Sequence, residues 1–132
     1  MPALLDTHAA VWYLLDSKKL PQKVFGLIDD AAARGTPTYI SAISLVEIAY
    51  LVERGRIAPD AFDKFARELG QSNPAFTLAP LDFHVADALR AIPRVLVPDM
   101  PDRIIAATAL HLGLPLVTRD RRFQAAGIRT IW

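Results

Sequence analysis

The 132-residue chain contains no cysteine. That excludes a disulfide scaffold and every zinc or iron–sulfur site built on thiolates. Histidine is scarce: His8, His84 and His111 are too few and too scattered for a histidine-rich metal cage. Charge of one sign is also lacking, because 15 basic and 14 acidic residues leave a net charge of +1. The overall balance therefore names no partner. There is no long apolar run. The longest, Ile104 to Val117, carries His111 and a Gly113 break and falls short of the ~20 residues that span a bilayer. The N-terminal run Ala3-Leu4-Leu5 is cut at Asp6, so no secretory core forms. The expectation is a soluble, cytoplasmic protein. What the chain does have is 52% hydrophobic and 22% charged residues, the composition of a globular domain. Its length fits one domain over residues 1–132 with a sizeable core.

Short apolar runs alternate with longer helical patterns. Strands are expected at Pro2 to Leu5, Thr38 to Ile40, Phe76 to Leu78, Leu114 to Val117 and Arg129 to Ile131. Helices are expected from Thr7 through Leu15, from about Pro21 to Arg34, and from Ser44 to Arg54. Further helices follow at Asp60 to Leu69, with Asp60 as N-cap and Gly70 just past the end, and at Asp82 to about Ile92. Pro101 to Leu112, closed by Gly113, and the short Asp120 to Ala126 complete the set. This alternation predicts an α/β fold: a five-stranded, mainly parallel sheet with helices on both faces. Ligand sites in such folds lie at the carboxyl ends of the strands.

Four acids, Asp6, Glu47, Asp102 and Asp120, fall at that edge, and Asp99 stands three residues before Asp102. Asp6 directly follows the first strand, and its simplest role is an N-cap before Thr7-His8-Ala9. Glu47 interrupts an apolar helix, with Ile43, Ser44, Tyr50 and Leu51 as its helical neighbours. A carboxylate on such a face is costly unless paired, or unless Ser44 and Glu47 form a capping box. In Asp99-Met100-Pro101-Asp102-Arg103 the first acid fits the N-cap and Asp102 the N3 position of a buried helix. Asp120 follows Leu116-Val117-Thr118-Arg119 and could cap the last helix. Each has a local explanation, but clustered carboxylates repel one another unless cations bind.

Leu4-Leu5-Asp6-Thr7-His8 with Trp12, Ser44-Leu45-Val46-Glu47-Ile48, Asp99-Met100-Pro101-Asp102-Arg103 and Leu116-Val117-Thr118-Arg119-Asp120 stand in order along the whole chain. Together they resemble the PIN-domain ribonucleases, and within them the VapC toxins of bacterial type II toxin–antitoxin pairs. The resemblance implies a three-layer α/β/α sandwich and a metal-dependent endoribonuclease held inactive by a cognate VapB-like antitoxin. It implies that Asp6, Glu47 and Asp102 bind metal, with Asp120 as a fourth ligand and Thr118 as a supporting hydroxyl. The family commonly has Asp-Pro-Phe-Asp-Arg; here the proline is shifted by one. That leaves Asp99 either touching metal or only capping the helix, the cap being preferred. A homodimer and an antitoxin groove are also implied, for which the helices Ser44 to Arg54 and Asp60 to Leu69 are candidate surfaces.

An oxygen-only set of Asp and Glu suits Mg²⁺ or Mn²⁺ rather than Zn²⁺. Such ions can activate water for in-line attack on a phosphodiester, leaving 5′-phosphate and 3′-hydroxyl ends. Arg103, Arg119, Arg121 and Arg122 lie beside the acids and are candidates for RNA-phosphate contact. His8 is read first as a packed residue, with a proton donor as the alternative; Trp12 is read first as core, with a base-stacking ring as the alternative; His84 and His111 are structural. Two other readings stay open. One is a PIN nuclease of RNA processing or turnover with no toxin role. The other is a non-catalytic Mg²⁺-binding signalling module, which would need a lysine at a late strand end, and no lysine follows Lys64. From residue 90 onward seven arginines face three acids, so filling an acidic pocket with cations leaves a basic surface beside it.

Overall fold

Alternation along the central strand decides the layering. In the computed structural model, which describes residues 1–72 and 74–132, β1 (Ala3–Leu5) is followed by α1 (Thr7–Leu14), α2 (Gln22–Ala33) and β2 (Thr38–Ser41). Next come α3 (Ala42–Glu53), α4 (Ala61–Leu69), β3 (Thr77–Ala79) and α5 (Phe83–Leu89). The chain ends with α6 (Met100–Leu112), β4 (Leu116–Val117), α7 (Arg122–Ala125) and β5 (Thr130–Ile131). The five strands form one sheet in the order β3-β2-β1-β4-β5, with every neighbouring pair parallel. Leu5 is in register with Ile40 and Val117, and these three share one core with Val24 and Ile28 of α2, Ile48 of α3 and Phe65 of α4. Leu4, in register with Tyr39 and Leu116, points the other way, into a core with Ile92, Ile105 and Phe123. Successive side chains of a strand face opposite sides, so two cores on one sheet make the expected three-layer α/β/α sandwich. Each fully buried Leu or Ile contributes about 1.5–3 kcal/mol.

Several element ends differ from expectation for local reasons. Helix α3 starts at Ala42, not Ser44, because Ser41 is the N-cap and its hydroxyl accepts from the Ile43 N–H at 3.2 Å. The Ser44–Glu47 capping box therefore does not form. Asp60 precedes α4 without a side-chain capping bond and instead stands 3.7 Å from Lys64 one turn on. Gly70 closes α4 with φ −84°, in the right-handed region. Gly113 does end α6 in the left-handed conformation, φ 65°, with Leu114 N–H returning to Ala109 at 3.0 Å. Helix α5 stops at Leu89, and Ala91 and Ile92 continue it only through tighter bonds to Ala88 and Leu89, both 3.0 Å. Helix α7 begins at Arg122, past Asp120.

The strand order reverses at β1: β2 lies on one side, and the later β4 on the other. The crevice beyond the carboxyl ends of β1 and β4 is the topological switch point where such sheets bind ligands. Asp6 leaves β1 there and Thr118 leaves β4. Among the described residues no helix is long and apolar enough to cross a membrane.

Candidate active site

Local folding places each acid. Asp6 is the N-cap of α1, its Oδ1 accepting the Ala9 N–H at 2.8 Å. Its other oxygen, Oδ2, accepts a hydrogen bond from the Thr118 hydroxyl across the switch point. Thr118 in turn accepts the Asp120 N–H at 3.1 Å, so one hydroxyl ties β1 to the loop after β4. Asp99 is the N-cap of α6 and accepts the Asp102 N–H at 3.2 Å, with Pro101 in the first turn. That is the cap expected of it. It also places Asp102 in the first turn, where the helix dipole favours an anion. Glu47 projects from the second turn of α3, and the Thr7 hydroxyl donates to its Oε1 at 2.5 Å. Thr7 Oγ1 also stands 2.9 Å from the Ser44 hydroxyl.

The acids divide between two adjoining cavities. One, of ≈440 Å³, is lined by Asp6, Asp102 and Asp120 together with His8, Trp12, Arg119, Arg121, Arg122, Phe123 and Trp132. The other, of ≈380 Å³, is lined by Glu47 and Asp99 with Thr7, His8, Ile43, Val46, Tyr50, Leu51, Arg54, Met100 and Pro101. His8 lies on the ridge shared by both and packs against Trp12, ring centroids 5.6 Å apart. Among the described residues no three His, Asp or Glu side chains already converge closely enough to hold a metal ion. Each acid has a protein partner instead: Thr118 for Asp6, Thr7 for Glu47, and Arg122 for the remaining pair. Arg122 reaches Asp120 at 2.6 Å and Asp102 at 3.2 Å.

The electrostatics show negative charge that the chain itself does not fully offset. Burial first, and then the repulsion of Asp99 and Glu47, push the Asp102 carboxyl up to about 6. Burial also raises Asp6, against the Thr118 and Ala9 hydrogen bonds that pull it down. Glu47 is raised by burial and by Asp99 and Asp6, with the Thr7 bond opposing. Asp120 goes the other way, held below the usual carboxylate range by Arg122. Three partly buried acids, raised first by burial and then by neighbouring carboxylates, are the surroundings a hard divalent cation stabilises. The donors are all oxygen, so the set fits Mg²⁺ or Mn²⁺.

The four candidate arginines separate. Arg103 turns away from the acids: its Nη2 donates to the carbonyls of Leu89 at 3.1 Å and Ile92 at 2.8 Å, and its buried Nε has no partner. It caps the carboxyl end of α5 and is not placed to meet phosphate, which corrects the expectation. Arg122 is tied to two carboxylates. Arg119 and Arg121 are exposed and, among the described residues, take part in no ion pair. Two contributors were given no role of their own from the sequence. Thr7 is the hydroxyl that steadies Glu47, and its position directly after Asp6 was the available signal. Trp132 follows β5 at the same sheet edge, so the strand-end rule that singled out Asp6 and Asp120 applied to it as well.

Comparison with known proteins gives a consistent picture. The sequence profile of the PIN domain matches residues 3–128. Ribonuclease VapC22 of Mycobacterium tuberculosis (strain ATCC 25618 / H37Rv) is 31% identical over 123 residues, covering 92% of this chain and 89% of that protein. The structure of FitAcB from Neisseria gonorrhoeae superposes with a TM-score of 0.68 at 26% identity, over 100% of this chain and 97% of that one. VapBC2 from Rickettsia felis, solved bound to a promoter DNA fragment, gives a TM-score of 0.75 at 18% identity, covering 99% and 98% of the two chains.

Proposed function

The chain belongs to the PIN-domain family, and on that footing we propose that it is a metal-dependent endoribonuclease acting as the toxin of a type II toxin–antitoxin pair. The observation that carries this reading is the acidic switch-point crevice, where Asp6, Asp102 and Asp120 line one cavity and Glu47 adjoins it. Asp6, Glu47 and Asp102 are the residues that would hold Mg²⁺ or Mn²⁺, with Asp120 joining when Arg122 releases it. Held by these acids, such an ion would supply positive charge beside the scissile phosphate and would make a water more acidic.

The chain's own residues do the positioning. Thr118 fixes the orientation of the Asp6 carboxylate, and Thr7 that of Glu47, as hydrogen-bonding supports of ligands commonly do. Asp99 holds the start of α6 and with it Asp102. Arg119 and Arg121 lie on the cavity wall, where guanidinium groups can hold the phosphates flanking the cut. Cleavage leaves 5′-phosphate and 3′-hydroxyl ends, with no covalent enzyme intermediate.

The partner that restrains it is a protein of the VapB kind, in keeping with the VapBC assemblies among its structural relatives. Helix α3 supports this with Val46 and Tyr50 exposed at 50% and 57% beside the second cavity, an apolar surface next to the acids. We place the protein in the cytoplasm, as a single nuclease domain over residues 1–132 that self-associates as a homodimer. Expression without an antitoxin is the test of the toxin role. Growth arrest with RNA cleavage supports it, and RNA cleavage without arrest points to a processing nuclease of the same family.

A further inference from the structure

We propose that Trp132 and Arg119, with Trp12 behind them, form a stacking subsite for one unpaired nucleobase of the RNA next to the scissile phosphate. The proposal rests on the nuclease reading and names the part of the substrate that its cavity selects. The chain has two tryptophans, and both line the ≈440 Å³ cavity that holds Asp6, Asp102 and Asp120. That volume is in the range of cavities that take small organic ligands. Trp12 is only 8% exposed, so its indole is not the open platform. It anchors Arg119, whose guanidinium carbon stands 4.8 Å from the indole centroid. Trp132 is half-buried, its ring centroid 6.1 Å from that of Trp12 with the planes tilted by 60°.

Arg119 follows β4 and Trp132 follows β5, strands that are paired in parallel, so both residues sit at the carboxyl edge beside Asp6. Arg122, three residues along, is held by two carboxylates. Arg119 has no ion-pair partner among the described residues, and its guanidinium rests over the Trp12 ring. Aromatic rings and guanidinium planes are the surfaces on which splayed-out bases stack. A base engaged in a duplex cannot enter, so single-stranded segments are selected.

Because both tryptophans lie at the subsite, intrinsic fluorescence reads its occupancy directly. The intact protein in EDTA is titrated with a single-stranded oligoribonucleotide, its blunt duplex, an abasic strand of equal length, and inorganic tripolyphosphate. We expect quenching by the single strand, and little from the other three. Trp132→Ala should weaken single-strand binding about ten-fold, the loss typical of one stacked base, without changing the salt slope. Trp132 also packs against the core, so Trp132→Phe is the conservative control and should restore most of the affinity. Arg119→Lys keeps the charge but loses the flat guanidinium, and should weaken binding while keeping the salt slope. Equal quenching by the abasic strand or by tripolyphosphate overturns the subsite, as does unchanged affinity in Trp132→Ala. RNA cleavage in Mg²⁺ without selective quenching leaves the nuclease reading intact and overturns the subsite. Selective quenching without cleavage supports the subsite and removes the nuclease reading.

Discussion

The Thr118 hydroxyl donates a hydrogen bond to Asp6 Oδ2 across the gap between β4 and β1, joining residues 112 positions apart in sequence. Thr118 Oγ1 also accepts the Asp120 N–H, so one side chain aligns two of the acids. Thr118→Val keeps the shape and removes both bonds. Cleavage should fall about 10- to 100-fold, as when a ligand loses its hydrogen-bonding support, with a stability loss of about 1 kcal/mol. Thr118→Ser should keep most of the activity. Wild-type turnover by the valine variant, measured on a defined RNA, would show that the bond does not matter for catalysis.

Arg103 and Arg121 should behave oppositely although they are chemically identical. Arg103 is fixed on the carbonyls of Leu89 and Ile92, so Arg103→Gln should cost about 1–3 kcal/mol of stability and leave the salt dependence of RNA binding unchanged. Arg121 is exposed on the cavity wall. Arg121→Gln should leave the melting temperature alone and reduce the slope of log K against log salt by about one. Thermal melts and binding isotherms at several salt concentrations separate the two outcomes.

Asp102 gives the metal-free protein an inverted pH dependence. In the folded state its carboxyl is pushed up to about 6 by burial and by Asp99 and Glu47. The folded form therefore holds a proton that the unfolded chain has already lost, and folding takes up protons in this window. The contribution to stability is greatest below the ordinary carboxylate pKa and is lost as pH rises through about 6. Metal-free protein should melt progressively lower from pH 4.5 to pH 7, and Asp102→Asn should flatten that trend. A melting temperature that rises over this range in the wild type but not in Asp102→Asn would contradict it.

Adding Mg²⁺ or Mn²⁺ at pH 7 should reverse that loss. A cation that binds only the folded state stabilises by mass action, so the melting temperature should rise with metal concentration and fall back with EDTA. Asp102→Asn should show a much smaller metal-induced rise. An equal rise in wild type and variant would place the bound ion elsewhere.

The sequence made the architecture legible because its strands are short apolar runs ending at sharp polar steps, such as Leu4-Leu5-Asp6. The five strands, the parallel sheet and the acids at its carboxyl edge all follow from that pattern. Helix starts were less clear. Ser41 and Ser44 are three residues apart, and either can cap; the choice depended on where β2 stopped. The roles of the arginines were not readable, because they are decided by partners distant in the chain. Arg103 meets Leu89, 14 residues back, and Arg122 meets Asp102, 20 residues back. Glu47's need for a partner was visible in its apolar helix, but its donor, Thr7, is 40 residues away.

The central claim is that Asp6 and Asp102 are metal-binding acids of a nuclease, and mapping of RNA ends tests it most directly. Purified wild type, Asp6→Asn and Asp102→Asn, each with a cooperative melt, are incubated with total RNA and Mg²⁺, and the new ends are sequenced. The account predicts 5′-phosphate and 3′-hydroxyl ends from the wild type, with cleavage at least about 100-fold slower in both variants, the loss of several kcal/mol of transition-state stabilisation. Full cleavage by either variant, or ends carrying a 2′,3′-cyclic phosphate, would contradict it.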